Sequence, residues 1–135
     1  IKSEGLFFLS GQKLILEFLK NPNFEIHAEL VEKGNLPLQT QAPAYSLSRE
    51  LFKELDTIGT HFNIFVLQTK ALTASRPEDD LKKLEVIAPL GDPGNLGALI
   101  RSCVAFGVDK IHLTRESANP YHPKCMKASA GAILK

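Results

Sequence analysis

Cysteine is scarce in this chain: Cys103 and Cys125 are the only two, too few for the disulfide framework of a small secreted domain. A reducing, cytoplasmic setting is therefore expected. Neither sign of charge dominates. Sixteen basic residues stand against 15 acidic ones, for a formal net charge of +1. That excludes a strongly basic nucleic-acid coat and leaves room for a local basic patch. Long apolar runs are missing too. The most apolar-looking stretch, residues 6–19, is broken by Ser10, Gln12, Lys13 and Glu17, so it is too polar to span a bilayer. No signal-peptide layout is visible, and no internal repeat or low-complexity tract is evident. The chain opens on Ile1 and closes on Lys135 within an element that reads as continuing, so a piece of a longer protein is one reading.

What is present is globular. A 44% hydrophobic and 23% charged composition over 135 residues fits one ordinary domain or two small ones. Apolar residues Leu14, Ile15, Phe18 and Leu19 give residues 12–20 a helical spacing, closed by Asn21-Pro22. Residues 24–32 alternate as a strand, 37–43 read as loop, and 48–55 as a short helix capped by Ser48. Residues 63–69 read as a strand buried on both faces. Polar residues 71–83 form the expected linker between unit 1–70 and unit 84–135. In the second unit an apolar run at 84–90, a turn, a helix and a short strand at 110–114 make a βαβ unit. Such a unit implies a parallel sheet with a right-handed crossover.

Residues 89–108 carry the strongest signal. Asp92-Pro93-Gly94-Asn95 has turn chemistry: Pro93 fixes its φ and Gly94 tolerates left-handed angles. Asn95 is the expected N-cap and Gly107 the expected stop. At 100° per residue, Leu96, Leu99, Ile100, Cys103, Val104 and Phe106 fill one arc. Gly97, Ala98, Arg101 and Ala105 fall on the other side, with Ser102 at an edge. Surface helices normally place charged residues on such a face. Two readings of this bare face stand side by side: a neighbouring backbone packs there, or a ligand or second subunit approaches Arg101. The turn has neither Gly-x-Gly-x-x-Gly spacing nor the Gly-Lys-Ser/Thr of a phosphate loop.

Asn95-Leu-Gly97-Ala98-Leu-Ile-Arg101, continuing through Ala105-Phe106-Gly107-Val108, resembles the first signature motif of the SpoU/TrmH family of RNA 2′-O-ribose methyltransferases, in the knotted SPOUT superfamily. Lys127-Ala-Ser129-Ala-Gly131-Ala132 is similar to the family's Lys-x-Ser-x-Gly-Ala segment. Residues 1–70 resemble, more loosely, the ribosomal-protein-like α/β substrate-binding domain of many members. The resemblance implies an α/β fold: a small N-terminal substrate domain, then the first part of a parallel-sheet SPOUT methyltransferase domain. It implies S-adenosylmethionine-dependent methylation of a ribose 2′-hydroxyl in structured, ribosomal RNA by a homodimer. Arg101 and Asn95 take the catalytic roles, Arg101 as stabiliser and positioner. The family's later motifs, which build the cofactor pocket and tie the knot, do not occur before Lys135, so cofactor-binding residues are expected beyond it.

Other candidates follow from residue type. Arg115, Lys124 and Lys127, joined by Ser129, are candidate RNA contacts, with solvated charges as the plain alternative. His122, Cys125 and His112 show a permissive His-x-x-Cys spacing without a second pair, so no metal is expected. His27 and His61 are given ordinary roles, and the phenylalanines are read as core. Two rival functions remain: a non-catalytic RNA-binding homologue lacking the cofactor site, and a nucleotide-binding α/β enzyme holding phosphate at the helix start.

Overall fold

The computed structural model describes residues 5–70, 72 and 83–135. The chain divides into two compact units, one ending at Lys70 and the other following it. The linker expected at 71–83 lies, except for Leu72 and Lys83, outside the described residues. Among the described residues no helix is long and apolar enough to cross a membrane.

The first unit is a four-stranded mixed sheet with two helices. Strands β1 (Leu6–Leu9), β2 (Ile26–Glu32), β3 (Ala44–Leu47) and β4 (Ile64–Gln68) lie in the order β1-β4-β2-β3. Central β4 runs antiparallel to β1 and β2, while β3 lies parallel to β2. Ile64, Phe65 and Leu67 are wholly buried, as expected of a strand packed on both faces. Helix α1 (Gln12–Lys20) buries Ile15 and Phe18. Helix α2 (Arg49–Leu55) starts where Ser48 Oγ accepts from the Leu51 amide and buries Phe52. Edge-to-face pairs Phe7–Phe24 and Phe18–Phe65 join the layers.

Two strands escape a reading by periodicity. Strand β1 is four residues long, and its Phe7-Phe8 pair shows no alternation of polarity. Strand β3, also four residues, is exposed along most of its length. It is a strand only because β2 lends it a parallel partner, and pairing of that kind leaves no mark in local sequence.

The second unit is built on strand β5 (Glu85–Ala88), helix α3 (Pro93–Ala105) and strand β6 (Lys110–Leu113). The strands pair in parallel, from Glu85↔Lys110 to Ala88↔Leu113. Helix α4 (Pro123–Ala128) and a 3-10 turn at Ala132–Leu134 follow. Ala88, Leu96, Ile100, Cys125 and Ala132 form the core, backed by Leu90, Ile111 and Leu113. Neither α4 nor its contact with α3 was anticipated, although His122-Pro123 is a start signal of the ordinary kind.

Candidate functional site

The site is organised by the two ends of α3. At the start, Asp92 Oδ1 accepts from the Asn95 amide at 2.8 Å and Pro93 occupies the first helical turn. Asp92 is thus the N-cap, and the expectation that Asn95 caps the helix is corrected. Gly94 is likewise helical, not a left-handed turn residue. The physical reason is that proline suits the first helical position, where its missing N–H costs nothing, and aspartate before it satisfies a free amide. At the other end Gly107 adopts φ 70. Its amide bonds Val104 O while the Val108 amide bonds Cys103 O, the paired closure of a Schellman motif.

Freed from capping, the Asn95 side chain is exposed, as is Arg101. The two lie about 9 Å apart along the axis and about 120° apart around it, by helix geometry. Ala98 sits between them, and Ala105 lies one turn beyond Arg101. Both are exposed, so nothing bulky on α3 covers the guanidinium. Ser102 Oγ donates back to Ala98 O at 3.1 Å.

The wheel misplaces three residues. Gly97, expected on the bare face, is buried against α4: a Cβ there would stand 2.4 Å from Cys125 O and 2.8 Å from Ala128 Cβ. For Gly97 the packing explanation holds, because the helices meet there backbone to backbone. Val104 and Phe106, expected in the apolar arc, are 43% and 82% exposed. Phe106 follows the last helical residue, where the chain turns toward Gly107, so the helical period no longer sets its direction. The exposed face therefore carries Arg101 among small and apolar side chains.

The strand ends are stitched together beside the start of α3. Ser117 Oγ donates to Ala88 O, and the Ala118 amide bonds Leu90 O at 2.8 Å. The Thr114 hydroxyl, with a backbone hydrogen bond, holds the exposed Glu116 carboxyl below its ordinary pKa. Arg115 on this loop is exposed. Lys124 and Lys127 are exposed on α4, three residues apart and so on neighbouring positions of one face.

Ser129 does not join them. It is 1% exposed, ends α4, and donates its hydroxyl to Met126 O at 3.0 Å, so its place among the RNA contacts is corrected to a helix cap. The histidines weighed as metal ligands have other partners. His122 Nδ1 accepts from the Lys124 amide as the N-cap of α4, and His112 Nε2 lies 2.9 Å from Glu85 Oε2. Among the described residues no His, Cys, Asp and Glu group is placed to hold a metal. Cys103 and Cys125 are free and buried, and burial pushes the Cys125 thiol up to about 11.

Comparison with known proteins places this geometry. Residues 84–135 match the SpoU rRNA Methylase family. Over its whole length the chain is 32% identical to a Syntrophobacter fumaroxidans protein named ribosomal RNA small subunit methyltransferase G 2, covering 28% of it. It is 28% identical, over 93% of its length, to the Bacillus subtilis 23S rRNA (guanosine(2553)-2′-O)-methyltransferase RlmP, covering 50% of that protein. Its fold is that of the Streptomyces viridochromogenes SpoU methyltransferase AviRb, solved with the cofactor AdoMet. The TM-score is 0.75 at 19% identity, over 99% of this chain and 54% of that one. The chain spans about half the length, or less, of the relatives it matches.

Proposed function

We propose, from the match of residues 84–135 to the SpoU rRNA Methylase family, that the complete protein methylates a ribose 2′-hydroxyl of ribosomal RNA with S-adenosylmethionine. The observation that carries this reading is the exposed Arg101, flanked on α3 by the small, exposed Ala98 and Ala105, within the matched residues. The first unit serves as the RNA-substrate domain, and the exposed face of α3 receives a second copy in a homodimer. Two free buried thiols suit a reducing compartment such as the cytoplasm.

S-adenosylmethionine supplies a methyl group activated on a sulfonium sulfur. The described residues present Arg101 and Asn95 exposed on α3, and the cofactor site is assigned to other residues of the complete protein. A ribose hydroxyl is a weak nucleophile: as the new O–C bond forms, the methyl's bond to the sulfonium sulfur would break and the hydroxyl proton would pass to solvent. A guanidinium stays charged at any physiological pH and has five donors in a fixed fork. Arg101 therefore acts as a donor: it orients the neighbouring phosphate and stabilises the negative charge growing on the ribose oxygen. The Asn95 carboxamide, released from capping, orders the polar side of the site. Arg115, Lys124 and Lys127 hold RNA phosphates without reading sequence.

The test is methyl transfer from radiolabelled S-adenosylmethionine to ribosomal RNA by the complete protein. The expected product resists alkaline hydrolysis at one linkage, the mark of a blocked 2′-hydroxyl. Label found only on a base would overturn the 2′-O assignment, and RNA binding without any transfer would favour a non-catalytic homologue.

A further inference from the structure

The first unit contains an organised loop that none of the foregoing explains. From Gly34 to Ser48 the chain carries no charged residue, although almost all of this stretch is on the surface. Leu36 is 83% exposed and Tyr45 55% exposed. The carboxamides Asn35, Gln39 and Gln41 are exposed as well. A surface this long without charge has some other use for its side chains.

The loop is fastened from below by a buried carboxylate. Glu29 on β2 is completely buried. Its Oε1 accepts from the Leu38 amide at 2.8 Å and from Asn63 Nδ2 at 2.7 Å. Asn63 Nδ2 in turn donates to Leu36 O at 2.9 Å. One buried acid and one buried amide thus grip the loop at two backbone points. Burying a carboxylate is costly unless it is well bonded, so the cost is borne to hold this loop in one shape. Gln39 sits at φ 55, a left-handed angle that side-chain-bearing residues seldom adopt. Among the described residues, Glu29 Oε2 and Thr40 Oγ1 are buried without a hydrogen-bond partner, a further expense accepted beneath the same loop.

The two ends of the loop meet. The Lys33 amide bonds Leu47 O at 2.8 Å, which sets exposed Lys33 beside the start of α2, where exposed Arg49 follows Ser48. Lys33 and Arg49, each next to a glutamate in sequence (Glu32 and Glu50), therefore flank the neck of an uncharged segment that offers one exposed aromatic ring and three carboxamides. Cations at the neck suit phosphates, a ring suits stacking, and carboxamides suit base edges. An added protein strand fits less well. Strand β3 has four residues and follows Pro43 directly, and so short an edge makes few ladder bonds. Resting on the reading of the first unit as an RNA-substrate domain, we infer that the segment 34–48, a loop running into strand β3, binds unpaired RNA nucleotides, with Tyr45 stacking on a base and Glu29 as the positioning residue.

The test measures binding of the full chain to a fluorescein-labelled single-stranded RNA and to the same strand in a duplex. The single strand binds more tightly, Tyr45→Ala loses about tenfold in affinity for it, and Tyr45→Phe retains it. Glu29→Gln speeds hydrogen exchange at the Leu38 amide and weakens the single strand selectively, an effect on duplex binding being absent. Equal affinity for both forms, or wild-type affinity in Tyr45→Ala, overturns the inference. If Lys124→Ala/Lys127→Ala weakens binding while the loop variants do not, the RNA reading stands and the loop assignment falls. No RNA binding by the chain removes both. A dimer broken by Ser46→Pro, with RNA affinity unchanged, assigns the edge to strand pairing instead.

Discussion

Gly97 on α3 and Cys125 on α4 meet without a side chain between them: a Cβ at Gly97 would stand 2.4 Å from the Cys125 carbonyl oxygen. This approach sets how closely the two helices pack one turn before Arg101, which lies four residues on and on a neighbouring position of the same side of α3.

Gly97→Ala should therefore destabilise the second unit. A mid-helix alanine gains about 1 kcal/mol of propensity over glycine, but forcing a methyl into backbone costs about 1–3 kcal/mol or more. The overlap is severe enough for the second effect to win. A fall of several degrees in melting temperature is expected, larger for Gly97→Val. An unchanged or raised melting temperature would show that the helices separate freely.

Arg101→Ala should leave the melting temperature almost unmoved, since exposed substitutions stay within about 0.5 kcal/mol. Methyl transfer by the complete protein should fall by about 10²-fold or more, the usual loss for a donor to developing charge. Arg101→Lys should not restore it, because an ammonium has no planar fork. Turnover near wild type in either variant would remove Arg101 from the chemistry.

The capping assignment separates two neighbours by experiment. Asp92→Ala should cost about 1 kcal/mol of stability through the lost bond to the Asn95 amide. Asn95→Ala should cost little stability and act on turnover instead. The reverse pattern in denaturant titrations would return the cap to Asn95.

Cys125 gives a pH dependence. Burial raises its thiol from an ordinary value of 9.0 to about 11, so the folded state prefers the neutral form and the unfolded chain ionises first. The resulting stability is whole below about pH 9 and drains away as pH rises toward 11. Cys125→Ala should flatten that part of the profile. Native Cys125 should also resist iodoacetamide at neutral pH and react after unfolding, as mass spectrometry of the alkylated peptide would show. Rapid labelling of the folded protein would contradict its burial.

Much of this was legible from local chemistry. The helix at Gln12–Lys20 follows from its apolar spacing, the Ser48 cap from its hydroxyl, and the Gly107 stop from its missing side chain. Parallel pairing of β5 and β6 follows from a strand, a helix and a strand joined by short connections. Each of these depends on residues a few positions apart.

Other features were decided by partners distant in sequence. Strand β3 exists through β2, whose Glu29 to Glu32 pair with Ala44 to Leu47. The helical wheel assigned Gly97 to a free face because a wheel records directions around one axis and nothing of what lies there. Sequence alone determined that a helix would carry Arg101 among small residues. Only the tertiary structure decided which of those residues are small for a neighbouring backbone, as Gly97 is, and which leave the arginine open, as Ala98 and Ala105 do. The reason is physical: local propensity acts through the chain, whereas close packing is settled by whichever segment folding brings into contact.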